Sequence, residues 1–460
     1  MEPEGIPPGP ASLDTETLVA PAGPWHPIVH VRSLLRPLAV RDYRLLWMAQ
    51  VASELGDWAT RLALILLVYH QTHSAVLSAA VVTVSLASWV GLGQVLTTVV
   101  DRFPRRTVMI GADVARAGIF GVLVLPVPLP VIFTAAFLSG LFTVPFESAR
   151  HAIRVEITDD SRLGGAITLF LITAQVTTMA GFALGGALVA LVGAHATFAV
   201  NAASFVASAC FVAGIRTTSA GRARGTGGQG YLAAAFRFVS GDPVLRWCTT
   251  LSLSAAFAGM GVEAIAAPYG HGHAGDVTLL AVAVPVGIVV ASMVAPHSGK
   301  PRRLLRAAGL VPVIGGGLGA VVFSLGPGIV IGVIGFALAG VAVCVPISAG
   351  PIVARRLESE FRAPAFSLLN GATLGGQAAG AAVGGLLAGI FGARPTCLAA
   401  CAALALVGIA ASARLPDPAV PPVVPIVRSP RHAVRRRVED HLEERGSRER
   451  DTGLIKMEGG

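Results

Sequence analysis

The chain has 460 residues, of which 53% are hydrophobic and only 13% charged, with a net charge of +9. Soluble domains carry about a quarter charged residues, so this composition excludes a soluble globular protein and points to an integral membrane protein. A crossing needs about 20 apolar residues, and the length accommodates roughly ten to twelve crossings with short loops and no large soluble domain.

Residues 1–40 hold Pro7, Pro8, Pro10, Pro21 and Pro24 among Glu2, Glu4, Asp14 and Glu16, without the apolar core of a signal peptide. A disordered cytoplasmic tail is expected there. Arg32, Arg36, Arg41 and Arg44 precede span 1 (residues 45–69), and the loop 71–74 after it has no Lys or Arg. Positive loops stay cytoplasmic, so span 1 runs outward. Span 2 (76–100) returns to Asp101-Arg102-Phe103-Pro104-Arg105-Arg106, a charged loop squeezed between two apolar runs that must sit at the inner membrane face. Span 3 leads out to the uncharged turn 126–130, and span 4 returns toward Glu147, Arg150 and Arg154. Span 5 ends at Gly193-Ala194-His195, and span 6 ends near Arg216.

Residues 41–215 thus read as a first six-helix half. The linker 216–243 is rich in Gly, Ser and Arg, as a flexible cytoplasmic connection is. Within it, residues 231–239 fit either a short helix on the membrane surface or an extension of span 7. Residues 244–414 form the second half, with turns at Gly326-Pro327-Gly328 and Gly392-Ala393-Arg394-Pro395 and inner-side charges Lys300, Arg302, Arg303, Arg355, Arg356 and Arg362. Arg394 is the only Lys or Arg placed outside. Residues 415–460 read as a solvated cytoplasmic tail. The expected fold class is an all-α membrane protein of twelve transmembrane helices in two six-helix halves, both termini cytoplasmic.

An internal repeat supports the division. Gly185-Gly186 with Gly193 matches Gly384-Gly385 with Gly392, about 199 residues on, and Pro104-Arg105-Arg106 recurs as Pro301-Arg302-Arg303 at nearly that offset. Duplicated halves enclosing a midplane site are a transporter architecture.

The loop from Asp101 to Arg106 resembles the signature loop G-x-x-x-D-R-x-G-R-R of the major facilitator superfamily, with Thr97 and Pro104 in the glycine positions. Arg41-Asp42-Tyr43-Arg44-Leu45-Leu46-Trp47, Gly56-Asp57-Trp58 with Arg61, Ala112-Asp113-Val114-Ala115-Arg116-Ala117, and Phe236-Arg237-Phe238-Val239 with Asp242-Pro243-Val244-Leu245 resemble its enterobactin-exporter-like and macrolide-efflux-like branch. The resemblance implies a twelve-helix fold and export of a small molecule, commonly driven by proton entry. Phe182 stands where exporters of this kind tend to have proline.

Span 1 carries Glu54, Asp57 and Arg61 on one helical face. Asp57 lies about 18 Å into a core of about 30 Å. Each buried charge costs about 2.5 to 3.5 kcal/mol to insert, whereas each Leu, Ile or Val returns about 0.3 to 0.6. The three therefore face the bundle interior or a wet cavity. Asp57 is a candidate proton-binding carboxylate, or else half of a permanent ion pair with Arg61 one turn away; Glu263 is a further candidate near the outer end of span 7. Asp113 and Arg116, and Glu147 and Arg150, join Asp101, Arg102, Arg105 and Arg106 as a candidate inner gate, with static packing as the alternative. Gly181, Gly185 and Gly186, and Gly376, Gly380 and Gly384, are small-residue faces for close helix approach. Gln50, Gln175, Asn201, Asn370 and Gln377 are polar groups for a substrate path or for interhelical hydrogen bonds.

The two lysines, Lys300 and Lys456, are not in a phosphate-binding loop, which excludes that route to ATP hydrolysis. No hydrolase constellation, metal-ligand spacing or cofactor motif is present, and the net positive charge is topological rather than a nucleic-acid surface. The expected partners are a small-molecule substrate, protons and the bilayer of a bacterial-type cell membrane, with the protein acting as a monomeric, non-enzymatic secondary transporter. Uptake, transport of a lipid-like amphiphile, and a non-transporting sensor on the same fold are the alternatives.

Overall fold

A computed structural model describes residues 35–89, 96, 103–216, 236–237, 239–294, 300–356 and 359–416. Asp101, Arg102, most of the linker and nearly all of both tails lie outside these residues. The described secondary structure is helical. A 3-10 turn (Arg36–Ala39) leads into α1 (Arg41–Thr72), α2 (Ala75–Ala87), α3 (Arg105–Leu123), α4 (Leu129–Glu156) and α5 (Asp160–Ala213). The second half holds α6 (Pro243–Glu263), the single turn α7 (Ala266–Tyr269), α8 (Ala274–Val294), α9 (Pro301–Leu325), α10 (Ile329–Val343), α11 (Val345–Arg356), α12 (Ser359–Phe391) and α13 (Ala393–Ala413).

The 54 residues of α5 are two arms broken at Gly193, whose backbone (φ 84°, ψ 168°) leaves the helical region for one that glycine tolerates. Both arms return to the middle of α1: Gly181 lies against Trp58, and Asn201 lies against Gly56. Gly392 (φ 90°, ψ 161°) makes the same turn before α13. Counting the two arms of α5 separately and α10 with α11 as one span, and leaving out the single turn α7, gives twelve spans among the described residues. By length and composition alone, seven described helices qualify to cross a membrane, the doubled α5 counting once. The remainder have physical reasons to fall short. The long helix α1 carries the charges of the site, α3 begins with Arg105 and Arg106 and contains Asp113 and Arg116, α6 is rich in Ser and Thr, and α2 is described only to Ala87.

The halves meet along two seams, α2 against α12 and the first arm of α5 against α8. They are related by the repeat: Gly186 packs on Thr278, and 199 residues later Gly385 packs on Ala79, the residue 199 before Thr278. Within the halves, Gly181 and Gly185 approach the carbonyls of Leu55 and Ala59, while Gly380 and Gly384 approach those of Phe257 and Gly261. Gly376 meets Leu253. Such contacts leave no room for a Cβ and set the helix spacing. The seams lie near the turns at residues 73–74, 193, 270–273 and 392, so the halves are sealed at that common end.

Candidate functional site

Between the halves lies a cavity of about 450 Å³, lined by Glu54, Asp57, Trp58 and Arg61 of α1 together with Glu147, Arg150 and Phe170, and reached from the second half by Leu374 and Gln377. Its polar wall is built on α1, whose positions 54, 57 and 61 recur at helical spacing and project to one side.

Glu54 and Asp57 of α1 each meet an arginine from another helix, and each of those arginines carries a second carboxylate. Arg150 of α4 donates from Nη1 to Glu54 Oε1 at 3.0 Å and from Nη2 to Glu147 Oε2 at 2.5 Å. Arg116 of α3 donates from Nη2 to Asp113 Oδ1 at 2.5 Å and from Nη1 to Asp57 Oδ2 at 3.4 Å. Rings hold these cations as well. Arg116 lies 4.5 Å from the Phe146 centroid and 4.2 Å from that of Phe205, and Phe170 sits 4.8 Å from Arg150 and 4.1 Å from Arg154. These cation–π contacts offset part of the cost of burying the guanidinium groups. Thr177 donates to Glu54 Oε2 at 2.7 Å.

The carboxylates differ in how far they are satisfied. Asp113 has 0% side-chain exposure, and Glu54, 14% exposed, is held by both Arg150 and Thr177. Asp57 keeps a third of its side-chain surface exposed, with one long contact to Arg116. It is the carboxylate with open coordination toward the cavity.

The i, i+4 pairing of Asp57 with Arg61 does not form among the described ion pairs. Arg61 instead crosses to the second half, 3.5 Å from Glu263 Oε1, with Met260 Sδ at 3.1 Å and its guanidinium 5.1 Å from the Trp58 ring. Opposite charges on α3 and α6 outcompete the same-helix partner. Asp113, Arg116, Glu147 and Arg150, assigned from sequence to an inner gate, belong to the same network as Glu54 and Asp57. Of the gate residues, Arg105 binds Glu156 at 3.0 Å and Arg106 donates to the Ala213 carbonyl, tying the start of α3 to the ends of α4 and α5. Among the polar residues, Gln175 and Gln377 line the cavity, Gln50 donates to the Phe170 carbonyl at 3.4 Å, Asn201 is buried beside Ser204, and Asn370 is exposed.

Sequence reasoning missed Thr177, Phe146, Phe170, Phe205 and the anchoring ends of the halves. Asp242 caps α6 through Val244 N and Leu245 N and binds Arg356 Nε at 3.1 Å. A signal existed for it: Asp42, Leu45 and Trp47 recur as Asp242, Leu245 and Trp247, each 200 residues on.

Two helical bundles joined along two pseudosymmetric seams, with a charged cavity between them, define a secondary-transporter architecture. The chain matches the Major Facilitator Superfamily over residues 46–344 and belongs to that family. It is therefore an integral membrane transporter and not an enzyme. It is 29% identical over 162 residues to the uncharacterized MFS-type transporter YfiS of Bacillus subtilis (strain 168), a match spanning 35% of this chain and 39% of that protein. Its fold is similar to a bacterial homolog of the human lysosomal transporter Spinster in an inward-facing and occupied conformation (TM-score 0.65, 14% identity, 81% of this chain and 96% of that one). It is also similar to the peptide transporter POT in complex with alafosfalin (TM-score 0.63, 13% identity, 81% and 93%). At these identities the likeness shows the fold alone.

Proposed function

We propose that this protein is a proton-coupled exporter of a small molecule, working as a monomer in the cell membrane with both termini cytoplasmic, on the face that bears Arg105, Arg106, Arg302 and Arg303. The observation that carries this reading is that two arginines serve four carboxylates. Arg150 is shared by Glu54 and Glu147, and Arg116 by Asp57 and Asp113. One arginine balances one carboxylate, and two carboxylates held at one site resist being charged together. The second acid of each set is the natural seat for a proton, and Asp57 has the open access that exchange requires. Proton entry down a membrane potential supplies about 2.3 kcal/mol per charge per 100 mV.

The test is transport in everted vesicles with an acid interior, using a panel of cationic dyes, macrolides and siderophores. Accumulation of at least one compound, abolished by a protonophore and by Asp57→Asn at normal expression, is expected. Accumulation that persists at full rate in Asp57→Asn removes Asp57 from coupling. Uptake driven in the opposite sense reverses the direction.

A further inference from the structure

We infer that the central cavity takes a monovalent organic cation with an apolar, ring-bearing body, its charge seated at Asp57. This deepens the proposed function and rests on it for driving force and direction, but not for binding.

The charge balance of the cavity selects the sign. The groups that line it, pair with its lining or share such a partner are Glu54, Asp57, Asp113, Glu147 and Glu263 against Arg61, Arg116 and Arg150, with the His151 ring 3.7 Å from Glu147. Acids exceed arginines by two (five against three). Arg154, 4.1 Å from the Phe170 ring and 2.5 Å from His151 Nδ1, is not among the lining residues. Each lining arginine already has an acid partner: Arg150 binds two carboxylates and Arg61 faces Glu263. Among the described residues an anionic ligand therefore finds no free cation in the lining, and once the shared acids have released their protons it meets surplus negative charge. An anionic siderophore would set its own charges against Glu54, Asp57 and Glu147.

Open coordination selects the seat. Glu54 and Asp113 are held at short range by Arg150 and Arg116, whereas Asp57 has a single contact at 3.4 Å. A ligand cation at Asp57 would occupy the place a proton takes in the other half of the cycle.

The remaining lining selects the body. Trp58, Trp89 and Phe120 lie on the cavity with Leu64, Val81 and Leu86. Aromatic faces attract cations and pack ring systems. An inorganic ion gains little from such walls, and among the described residues no group of three or more metal-ligand side chains is present.

The experiment compares two ions of the same shape and opposite charge. Full-length protein in nanodiscs is equilibrated with tetraphenylphosphonium or tetraphenylborate, and saturable binding is measured across pH 5 to 8. Wild type should bind tetraphenylphosphonium saturably, more tightly at pH 8 than at pH 5, with no saturable binding of the borate. Asp57→Asn should weaken phosphonium binding by roughly thirtyfold or more, the loss expected when one partner of a buried charge contact is removed. Phe120→Ala should weaken it at unchanged pH dependence, which keeps the inference testable if Asp57→Asn is not monodisperse. Equal binding of the two ions, no saturable phosphonium binding by monodisperse wild type, or unchanged affinity in monodisperse Asp57→Asn would overturn it. Phosphonium binding without gradient-driven flux would support this inference while removing proton coupling. Gradient-driven flux of an anion without cation binding would do the reverse.

Discussion

Arg116 shows what a single side chain must satisfy at this site. It is 1% exposed, lies between the rings of Phe146 and Phe205, and serves Asp57 and Asp113 at once. Removing it leaves the fully buried Asp113 carboxylate without its counter-ion, a change that costs about 3 to 5 kcal/mol for buried pairs. Arg116→Met should therefore lower the thermal midpoint and yield of the purified protein sharply. Arg116→Met combined with Asp113→Leu should recover much of the stability, because it removes both charges together, yet remain inactive in gradient-driven flux because Asp57 has lost its partner. A double variant no more stable than the single one would show that the pair is not what Arg116 contributes to folding. The charges themselves were legible, since Glu54, Asp57 and Arg61 interrupt an apolar run. Their partners were not. A same-helix spacing predicts which residues share a face, but whether Asp57 meets Arg61 or Arg116 depends on how α3 and α6 are rotated about their axes, and one sequence does not carry that rotation.

Turns were the most readable feature among the elements. Gly193 and Gly392 end apolar runs of crossing length, and both adopt the positive φ that a tight reversal demands. The first half of the repeat rule was also legible in the paired glycines, although the seams they form, Gly186 on Thr278 and Gly385 on Ala79, required knowing which helices neighbour each other. The repeat further relates Gly140, against Ser85, to Gly340, against Val284, a match hidden in sequence because the partners differ in chemistry and share only their place. Space, not conformation, decides what these glycines tolerate. A Cβ at Gly185 would stand 2.6 Å from the Ala59 backbone, whereas one at Gly118 in α3 meets nothing within 4 Å. Gly185→Leu should force α5 from α1 at a cost of about 1 to 3 kcal/mol or more and reduce flux. Gly118→Ala should be neutral or slightly stabilising, since alanine is favoured over glycine in a helix by about 1 kcal/mol. Thermal midpoints of the two variants in the same detergent check the contrast, and equal destabilisation would refute close packing as the role of Gly185.

For the molecule as a whole, the question is what holds the halves shut at one end. The glycine seams supply close packing there, and His70 Nε2 lies 2.7 Å from the Gly272 carbonyl across the same junction. Among the described residues, Arg61 with Glu263 is the ion pair that joins the two halves; the other described pairs lie within one half. Its side chains are 20% and 14% exposed, so solvent weakens the pair without cancelling it. A contact present in one state and absent in the other biases the equilibrium by its differential energy and no more. An increment of about 1 to 2 kcal/mol shifts the ratio of states about 5- to 30-fold. The closure is measurable by spin labels at Gln71→Cys and Gly275→Cys, one on each half at the sealed end, in a background with the five native cysteines replaced. Wild type should give mainly a short distance. Arg61→Ala and Glu263→Gln should each populate a longer one, and the exchanged pair Arg61→Glu with Glu263→Arg should restore the short distance, because the swap returns the attraction with its sign reversed. Distance distributions unchanged by the single variants would mean that packing along α2–α12 and α5–α8 closes this end without help from charge. Restoration by the swap separates an electrostatic latch from a merely steric role for either side chain, since the exchanged residues differ in size and shape at both positions.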